Sequence, residues 1–206
     1  RPGLGVSQLF DPGRGVLLAA NVGDPAVAGS CTVSVIDVAS KERLADIQVP
    51  GRTRWTVYDP ARDMFYVNIM SPSKIVAIAA GAHRTIDLEF DIPAAGPHGL
   101  DLDAEGGRLF CACDAGVLFA LEATSGRVLA EVKLSGAPDV IFLHKGLQRL
   151  YVALGDPGVI DVIDMVKMRR TETVTTEVGA HTFALDRSRK RVFAFLPQTH
   201  RAAVYR

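Results

Sequence analysis

The stretch PHGLDLDAEGGRLFCACDAGVLFALEATSGRVL, residues 97–129, alternates short strand-like runs with tight turns. Its runs GLDLD, RLFCAC and VLFALE are too short to be helices, and the gaps AEGG and DAG separate them. Gly-rich gaps of this length are typical of β-hairpins. The stretch therefore predicts an antiparallel sheet, and the turn ATSG leads into a fourth strand, RVLAEVKL.

This four-strand phrase recurs along the whole chain. In each copy, a turn and the second strand follow the first strand. These segments are DPGRGVLLA from Asp11, DPARDMFYV from Asp59, DAEGGRLFCA from Asp103, HKGLQRLYVA from His144 and DRSRKRVFAF from Asp186. The third strands end at Asp37, Ala79, Glu122, Asp164 and Arg206, so successive copies lie 42 or 43 residues apart. A four-stranded unit repeated every ~40–50 residues is the signature of a β-propeller blade, because blades packed face to face bury surfaces that one sheet leaves exposed.

We therefore predict an all-β fold, a β-propeller of four-stranded antiparallel blades with five repeats in this chain and no helix longer than two turns. Residues 1–206 are expected to form one domain, with repeats at approximately 6–52, 53–96, 97–137, 138–180 and 181–206, the last incomplete. That last repeat has no fourth strand, so we expect the edge after Arg206 to be unpaired or capped by chain outside these 206 residues. Residues 1–5 are read as the tail of a connector, too short to supply this strand.

The composition narrows the classes of partner. Lysine plus arginine and aspartate plus glutamate balance at 23 each, so the formal net charge is +0. Without a basic run or a long apolar run, we expect no nucleic-acid partner and no membrane insertion. Three cysteines cannot all pair within one chain. Cys111 and Cys113 lie on one face of a strand, which favours free buried thiols over a metal or redox pair.

The repeats resemble the YVTN-repeat, YncE-like family within the lactonase-like group of β-propellers. The resemblance covers essentially the whole chain and rests on four segments: RLYVA at residues 149–153, MFYVN at 64–68, VSVIDVASKERLADIQV at 33–49 and PHGLDLD at 97–103. These motifs are structural, so they imply the fold more than an activity. Because members of this family are usually longer, the resemblance favours six or seven blades in the intact protein.

A candidate ligand site follows from reading equivalent positions across the blades. The residues five places before each turn landmark are Val6, Arg54, His98, Asp139 and His181. Equivalent phase implies equivalent height at the mouth of the channel, so the four polar side chains should converge there. We expect the turns between the second and third strands to add His200 and, as secondary positions, Asn68, Asp114 and Asp156, while Trp55 lies beside Arg54.

Plainer interpretations stand beside this site. Asp114 and Asp156 occupy ordinary turn sequences, as do Asp59, Asp103 and Asp186 on the opposite face. Alternatively, His98 and His181 form hydrogen bonds with the backbone of a neighbouring blade. Arg54 alternatively pairs with Asp139 or lines a wet channel, and Trp55 packs between blades or stacks on a flat ligand.

Two functions are compatible with these residues. The favoured prediction is a non-catalytic binding or interaction propeller that uses the channel mouth for a small ligand or a protein, with no cofactor and no metal. The alternative, which the resemblance implies, is a lactonase- or lyase-like enzyme with a His, Asp and Arg site at the mouth. In that case a divalent cation or Arg54 would stabilise an oxyanion and a histidine would act as base.

Overall fold

The fold was examined in a computed structural model that describes residues 5–24, 26–81 and 85–206. The described chain contains nineteen strands and one single-turn helix, Lys145–Leu147, and every strand pair is antiparallel. The strands form four sheets of four strands and one sheet of three. This β-propeller-like architecture agrees with the predicted all-β fold.

Each sheet is a meander in which consecutive strands pair. The first sheet contains β1 (Gly5–Asp11), β2 (Val16–Asn21), β3 (Thr32–Asp37) and β4 (Arg43–Gln48). The second contains β5 (Thr53–Asp59), β6 (Met64–Ile69), β7 (Lys74–Ala79) and β8 (Ile86–Asp91). The third contains β9 (Pro97–Asp103), β10 (Arg108–Cys113), β11 (Val117–Glu122) and β12 (Val128–Lys133).

The remaining two sheets follow the same order. The fourth contains β13 (Ile141–His144), β14 (Arg149–Leu154), β15 (Val159–Asp164) and β16 (Arg169–Thr175). The fifth contains β17 (Phe183–Asp186), β18 (Arg191–Leu196) and β19 (Arg201–Tyr205). Three sheets begin at or within one residue of the predicted starts, whereas β13 begins three residues after Pro138 and β17 two after His181.

The core lies between the sheets, and the second strands of the three middle sheets, β6, β10 and β14, contribute to it on both faces. Tyr66 of β6 packs with Leu109 and Cys111 of β10, whereas Phe110 on the opposite face of β10 packs with Leu150 of β14. Strand alternation thus buries large side chains on both faces. Each fully buried apolar side chain contributes about 1.5–3 kcal/mol, so interlocking faces stabilise the stack of blades.

The turns between first and second strands carry a recurring aspartate. Asp59 is fully buried and accepts hydrogen bonds from the backbone N–H groups of Ala61 and Arg62, while its second oxygen binds the Arg62 guanidinium at 2.7 Å. Arg62 also donates to the carbonyl of Ala104 in the next sheet at 3.2 Å. Turn chemistry and contact between blades are therefore combined in one short segment.

The other blades repeat this arrangement with variations. Asp11, Asp103 and Asp186 each accept a backbone N–H of their own turn and bind an arginine side chain. In the fourth blade His144 replaces the aspartate: Nδ1 accepts the N–H of Leu147, and Nε2 donates to the carbonyl of Arg187 in the fifth blade. Asp59, Asp103 and Asp186 are therefore turn residues, as predicted.

The fifth sheet ends at an edge strand. Within the described residues β19 pairs only with β18, so this sheet has three strands. Gly5 starts β1 and pairs with Asn21 in the first sheet, whereas residues 1–4 of the predicted connector lie outside the described residues. Across the ranges that the structure describes, no helix is long and apolar enough to cross a membrane.

Candidate functional site at the channel mouth

The predicted phase coincides with a β-bulge in the first strand of three blades. In the third blade Pro97 pairs with Cys113 and Gly99 pairs with Ala112, which leaves His98 as the extra residue. In the second blade Arg54 and Trp55 stand between paired residues Thr53 and Thr56. Bulges re-aim side chains and are common beside functional sites.

The same bulge occurs at Val6 of the first blade, between the paired residues Gly5 and Ser7, although the side chain of Val6 lies outside the described part of the chain. In the fourth blade the equivalent Asp139 precedes β13, and its N–H donates to the carbonyl of Ala153. In three blades this sequence position therefore marks a backbone irregularity, and at two of them the side chains, Arg54 and His98, lie 3.3 Å apart.

His98 is the centre of the cluster. Its Nδ1 lies 2.7 Å from Asp114 Oδ1, and its Nε2 lies 3.3 Å from Asp139 Oδ1 and 3.3 Å from Arg54 Nη1. The side chain is 17% exposed. Four of the predicted site residues from three different blades thus meet at one imidazole.

The two neighbours of His98 Nε2 require different protonation states. A neutral ring with its proton on Nδ1 donates to Asp114 and accepts the Arg54 N–H at Nε2. A protonated ring donates to both carboxylates and repels Arg54. Burial lowers the pKa of His98, but hydrogen bonds with Asp139 and Asp114 outweigh it, so this pKa is raised above 6.5. The same contact with His98 holds the pKa of Asp139 below its usual value, against the effect of burial.

Arg54 has weak partners for a guanidinium in this position. Its side chain is 17% exposed, yet its Nη2 lies 3.3 Å from Met70 Sδ and 3.9 Å from Asp114 Oδ2. Its Nε is buried without a hydrogen-bond partner among the described residues. The alternative pairing with Asp139 is not a direct ion pair in the described structure, because the carboxylate within ion-pair distance of Arg54 is Asp114.

Asn68 supports the site from below. It lies inside β6 and is fully buried, which corrects its predicted place in a turn at the mouth. Its Nδ2 donates to the carbonyls of His98 and Gly99 at 2.9 and 3.2 Å, and its Oδ1 accepts the thiol of Cys111 at 3.5 Å. Asn68 therefore fixes the backbone on which His98 stands.

The remaining predicted residues are peripheral. His181 is exposed and its Nδ1 donates to the carbonyl of Gly179 in its own connector at 2.7 Å, although its charge also helps to lower the pKa of Asp139. His200 and Asp156 are exposed turn residues, and no described hydrogen bond or ion pair joins either side chain to His98. Trp55 is half-buried and packs against the apolar clusters between blades two and three and between blades four and five.

Metal ligands and thiols give no further site in the ranges described. No group of three or more histidine, cysteine, aspartate or glutamate residues there is arranged to hold a metal ion. Cys31, Cys111 and Cys113 are free, and Cys111 and Cys113 are also buried, as predicted for these two; burial raises the pKa of the Cys111 thiol well above its usual value. Such a thiol is unreactive at neutral pH.

A cavity of about 350 Å³ opens on the opposite face, and its polar lining residues include Asp101, Asp103, Glu105, His144, Lys145 and Arg187. These groups are largely satisfied by one another. Lys145 binds the carboxylates of Asp103 and Glu105, and Asp101 accepts the N–H groups of Leu102 and Leu143. The mouth, with its poorly satisfied guanidinium, is the stronger candidate for a ligand site.

Comparison with known proteins supports the fold alone. No protein-family model and no curated protein sequence matches the chain. Among solved structures, the chain is similar to hydrazine synthase of Kuenenia stuttgartiensis, with a TM-score of 0.81 and 14% sequence identity. The match covers 94% of this chain and 55% of that one, so the chain spans little more than half the length of that protein.

Proposed function

We propose that this chain is a non-catalytic binding β-propeller whose channel mouth takes a small ligand with an anionic group. The observation that carries the proposal is the lack of oxygen acceptors around the guanidinium of Arg54. Its guanidinium is largely buried, but among the described residues it makes no hydrogen bond to an oxygen atom. A buried guanidinium without oxygen acceptors is costly, and a carboxylate or phosphate group would satisfy it.

The neighbours of Arg54 define the rest of the ligand. Protonated His98 would add a second cationic donor, and displacement of its contact with Asp139 would free that carboxylate to accept a hydroxyl or ammonium group. A small carboxylate or phosphate ester with a donor beside its charged group fits these three side chains. We expect Trp55 to contribute to packing between blades rather than to stack on the ligand, because it packs against two apolar clusters.

Isothermal titration calorimetry with malonate and with inorganic phosphate tests this proposal. Arg54→Met keeps the length of the side chain and removes its charge, whereas Arg43→Met is a control at an exposed arginine of the first blade. We expect Arg54→Met to weaken binding about tenfold or more, the ~1.5–3 kcal/mol of a charged hydrogen bond. The proposal is refuted if neither anion binds the parent, or if Arg54→Met binds them as tightly as the parent does.

A second function, a lactonase- or lyase-like enzyme, is favoured by one contact. The 2.7 Å bond between Asp114 and His98 Nδ1 would hold the imidazole with Nε2 toward the mouth, the arrangement that a general base requires. Arg54 would then stabilise the developing oxyanion. Hydrolysis of simple lactones by the parent and by His98→Gln tests this: turnover that falls about 10²-fold or more in the variant supports catalysis, and no turnover by the parent excludes it for those substrates.

We also propose that the chain belongs to the YVTN-repeat, YncE-like group and that the intact propeller has six or seven blades. The repeat segments and the apolar outer face of the fifth sheet support this proposal. Phe195 and Val204 on that face are each 49% exposed, although the equivalent positions in the second sheet are fully buried. A further blade would cover them. The sequence of the intact gene tests both parts.

A further inference from the structure

Two side chains at the channel mouth compete for one nitrogen atom. Arg54 Nη1 and Asp139 Oδ1 each lie 3.3 Å from His98 Nε2. A neutral ring with its proton on Nδ1 accepts from Arg54 and turns a lone pair toward the Asp139 carboxylate. A ring with a proton on Nε2 donates to Asp139 but no longer accepts from Arg54. No protonation state of His98 therefore satisfies both neighbours.

Asp139 depends on this contact more than Asp114 does. Asp114 lies 2.7 Å from His98 Nδ1 and 3.9 Å from Arg54 Nη2, so it faces both the imidazole and the guanidinium. Among the described residues, the Asp139 side chain has His98 Nε2 as its one hydrogen-bond or ion-pair partner, and it is 31% exposed. Exposed His181 acts on it through charge alone. Asp139 is therefore the carboxylate that is open to a donor from solution.

The charges of this cluster favour a ligand that carries both signs. Arg54 contributes one positive charge, whereas Asp114 and Asp139 contribute two negative ones, so the cluster is negative when His98 is neutral. A purely anionic ligand would satisfy Arg54 but add to this negative charge. An ammonium group beside Asp139 would balance the charge and give that carboxylate a donor. His98 would then be left to accept from Arg54.

The spacing of Arg54 and Asp139 limits the length of such a ligand. Because Arg54 Nη1 and Asp139 Oδ1 contact the same nitrogen atom, they lie within two such contacts of each other. A carboxylate and an ammonium group on one carbon atom can reach both at hydrogen-bond distances of about 2.7–3.2 Å. When the amino group stands at the far end of a longer chain, that chain must fold back to do so. Within a peptide both groups become neutral amides, so the spacing favours a free amino acid.

We propose that the channel mouth binds a free α-amino acid, with its carboxylate on Arg54 and its ammonium group on Asp139. This inference rests on the proposed anion site at Arg54. It adds Asp139 as the residue that selects a ligand with an ammonium group over a simple carboxylate.

Calorimetric titrations with L-alanine and with propionate test this inference, because the two ligands differ only in the ammonium group. The parent should bind L-alanine about tenfold or more tightly than propionate, as expected for one charged hydrogen bond. Asp139→Asn keeps the shape of the side chain and should bind the two ligands equally. Asp87→Asn, the same charge change at an exposed residue of β8, should keep the parent's preference. 4-Aminobutyrate, whose amino group lies two carbons further along the chain, should bind the parent about as weakly as propionate.

Malonate separates failure of this inference from failure of the proposed function. Asp139→Asn should bind malonate at least as tightly as the parent does, which also shows that the variant folds. When the parent binds malonate, three results overturn this inference alone: the parent does not prefer L-alanine to propionate, Asp139→Asn keeps the preference, or 4-aminobutyrate binds as tightly as L-alanine. The first and third need no variant, so they decide even if Asp139→Asn does not fold. If the parent binds neither malonate nor inorganic phosphate, the proposed function fails and this inference fails with it.

Discussion

Replacement of Asn68 by alanine should destabilise the protein more than any surface change at the mouth. Asn68 is fully buried, and its amide donates to the carbonyls of His98 and Gly99. Two lost neutral hydrogen bonds cost about 1 kcal/mol each. The cavity left by the amide adds about 1–2 kcal/mol. The expected loss in the free energy of unfolding is therefore about 3–4 kcal/mol, or a fall in Tm of about 6–16 °C for a chain of this size.

Urea unfolding can measure this loss directly. Trp55 is the one tryptophan of the chain and is half-buried against two clusters, so its fluorescence reports the core around the channel. Asn21→Ala is the matched control, because half-buried Asn21 donates to the hydroxyls of Thr32 and Ser34 rather than to a backbone. Asn21→Ala should cost less than about 1 kcal/mol, since those hydroxyls can turn to other partners. If Asn68→Ala costs no more than this control, Asn68 does not hold the site as argued.

Two further predictions concern the same region. The pKa of His98 is higher in the folded than in the unfolded protein, so protonated His98 stabilises the fold fully below the unfolded pKa of about 6.5, and this effect is lost as pH rises through the folded value. The free energy of unfolding, measured on both sides of this pH window, should fall less with pH in Asp114→Asn than in the parent. An equal fall would contradict the contact between Asp114 and His98. A Cβ at Gly99 would lie 2.5 Å from the carbonyl oxygen of Asp139, so Gly99→Ala should lower Tm by several degrees. Gly81→Ala is the control and should leave Tm unchanged, because a Cβ there meets no atom of the described residues within 4 Å. Equal melting curves for the two variants would show that the backbone near Asp139 yields.

The repeat predicted the sheets because each copy solves the same local problem. Strand alternation and hairpin turns at a spacing of 42 or 43 residues suffice to place β5 at Thr53 and β9 at Pro97. The start of the fourth blade was less predictable, because Asp139 and Val140 bond to Ala153 before β13 begins at Ile141.

The site was predictable in position but not in its pairing. Equal phase brought His98, Arg54 and Asp139 to one place, but phase carries no information on which atoms meet. Asp114 fits a turn sequence and was expected chiefly as a turn residue, yet it makes the shortest contact of the cluster, with His98. That pairing depends on the bulge at His98, and a bulge leaves no clear signal in a single sequence.

The turn aspartates have a consequence for how such a chain can change over evolutionary time. Asp59 and Arg62 lie three residues apart, and together they close their own turn and reach Ala104 of the next sheet. The residues that bond one blade to the next therefore lie close together within a single repeat rather than in distant parts of the gene. An in-frame duplication of about 42 residues would add a blade together with the turn that bonds it to its neighbour, and a deletion of the same length would remove both. Recombination can therefore change the number of blades without changing the residues that form the contacts between them.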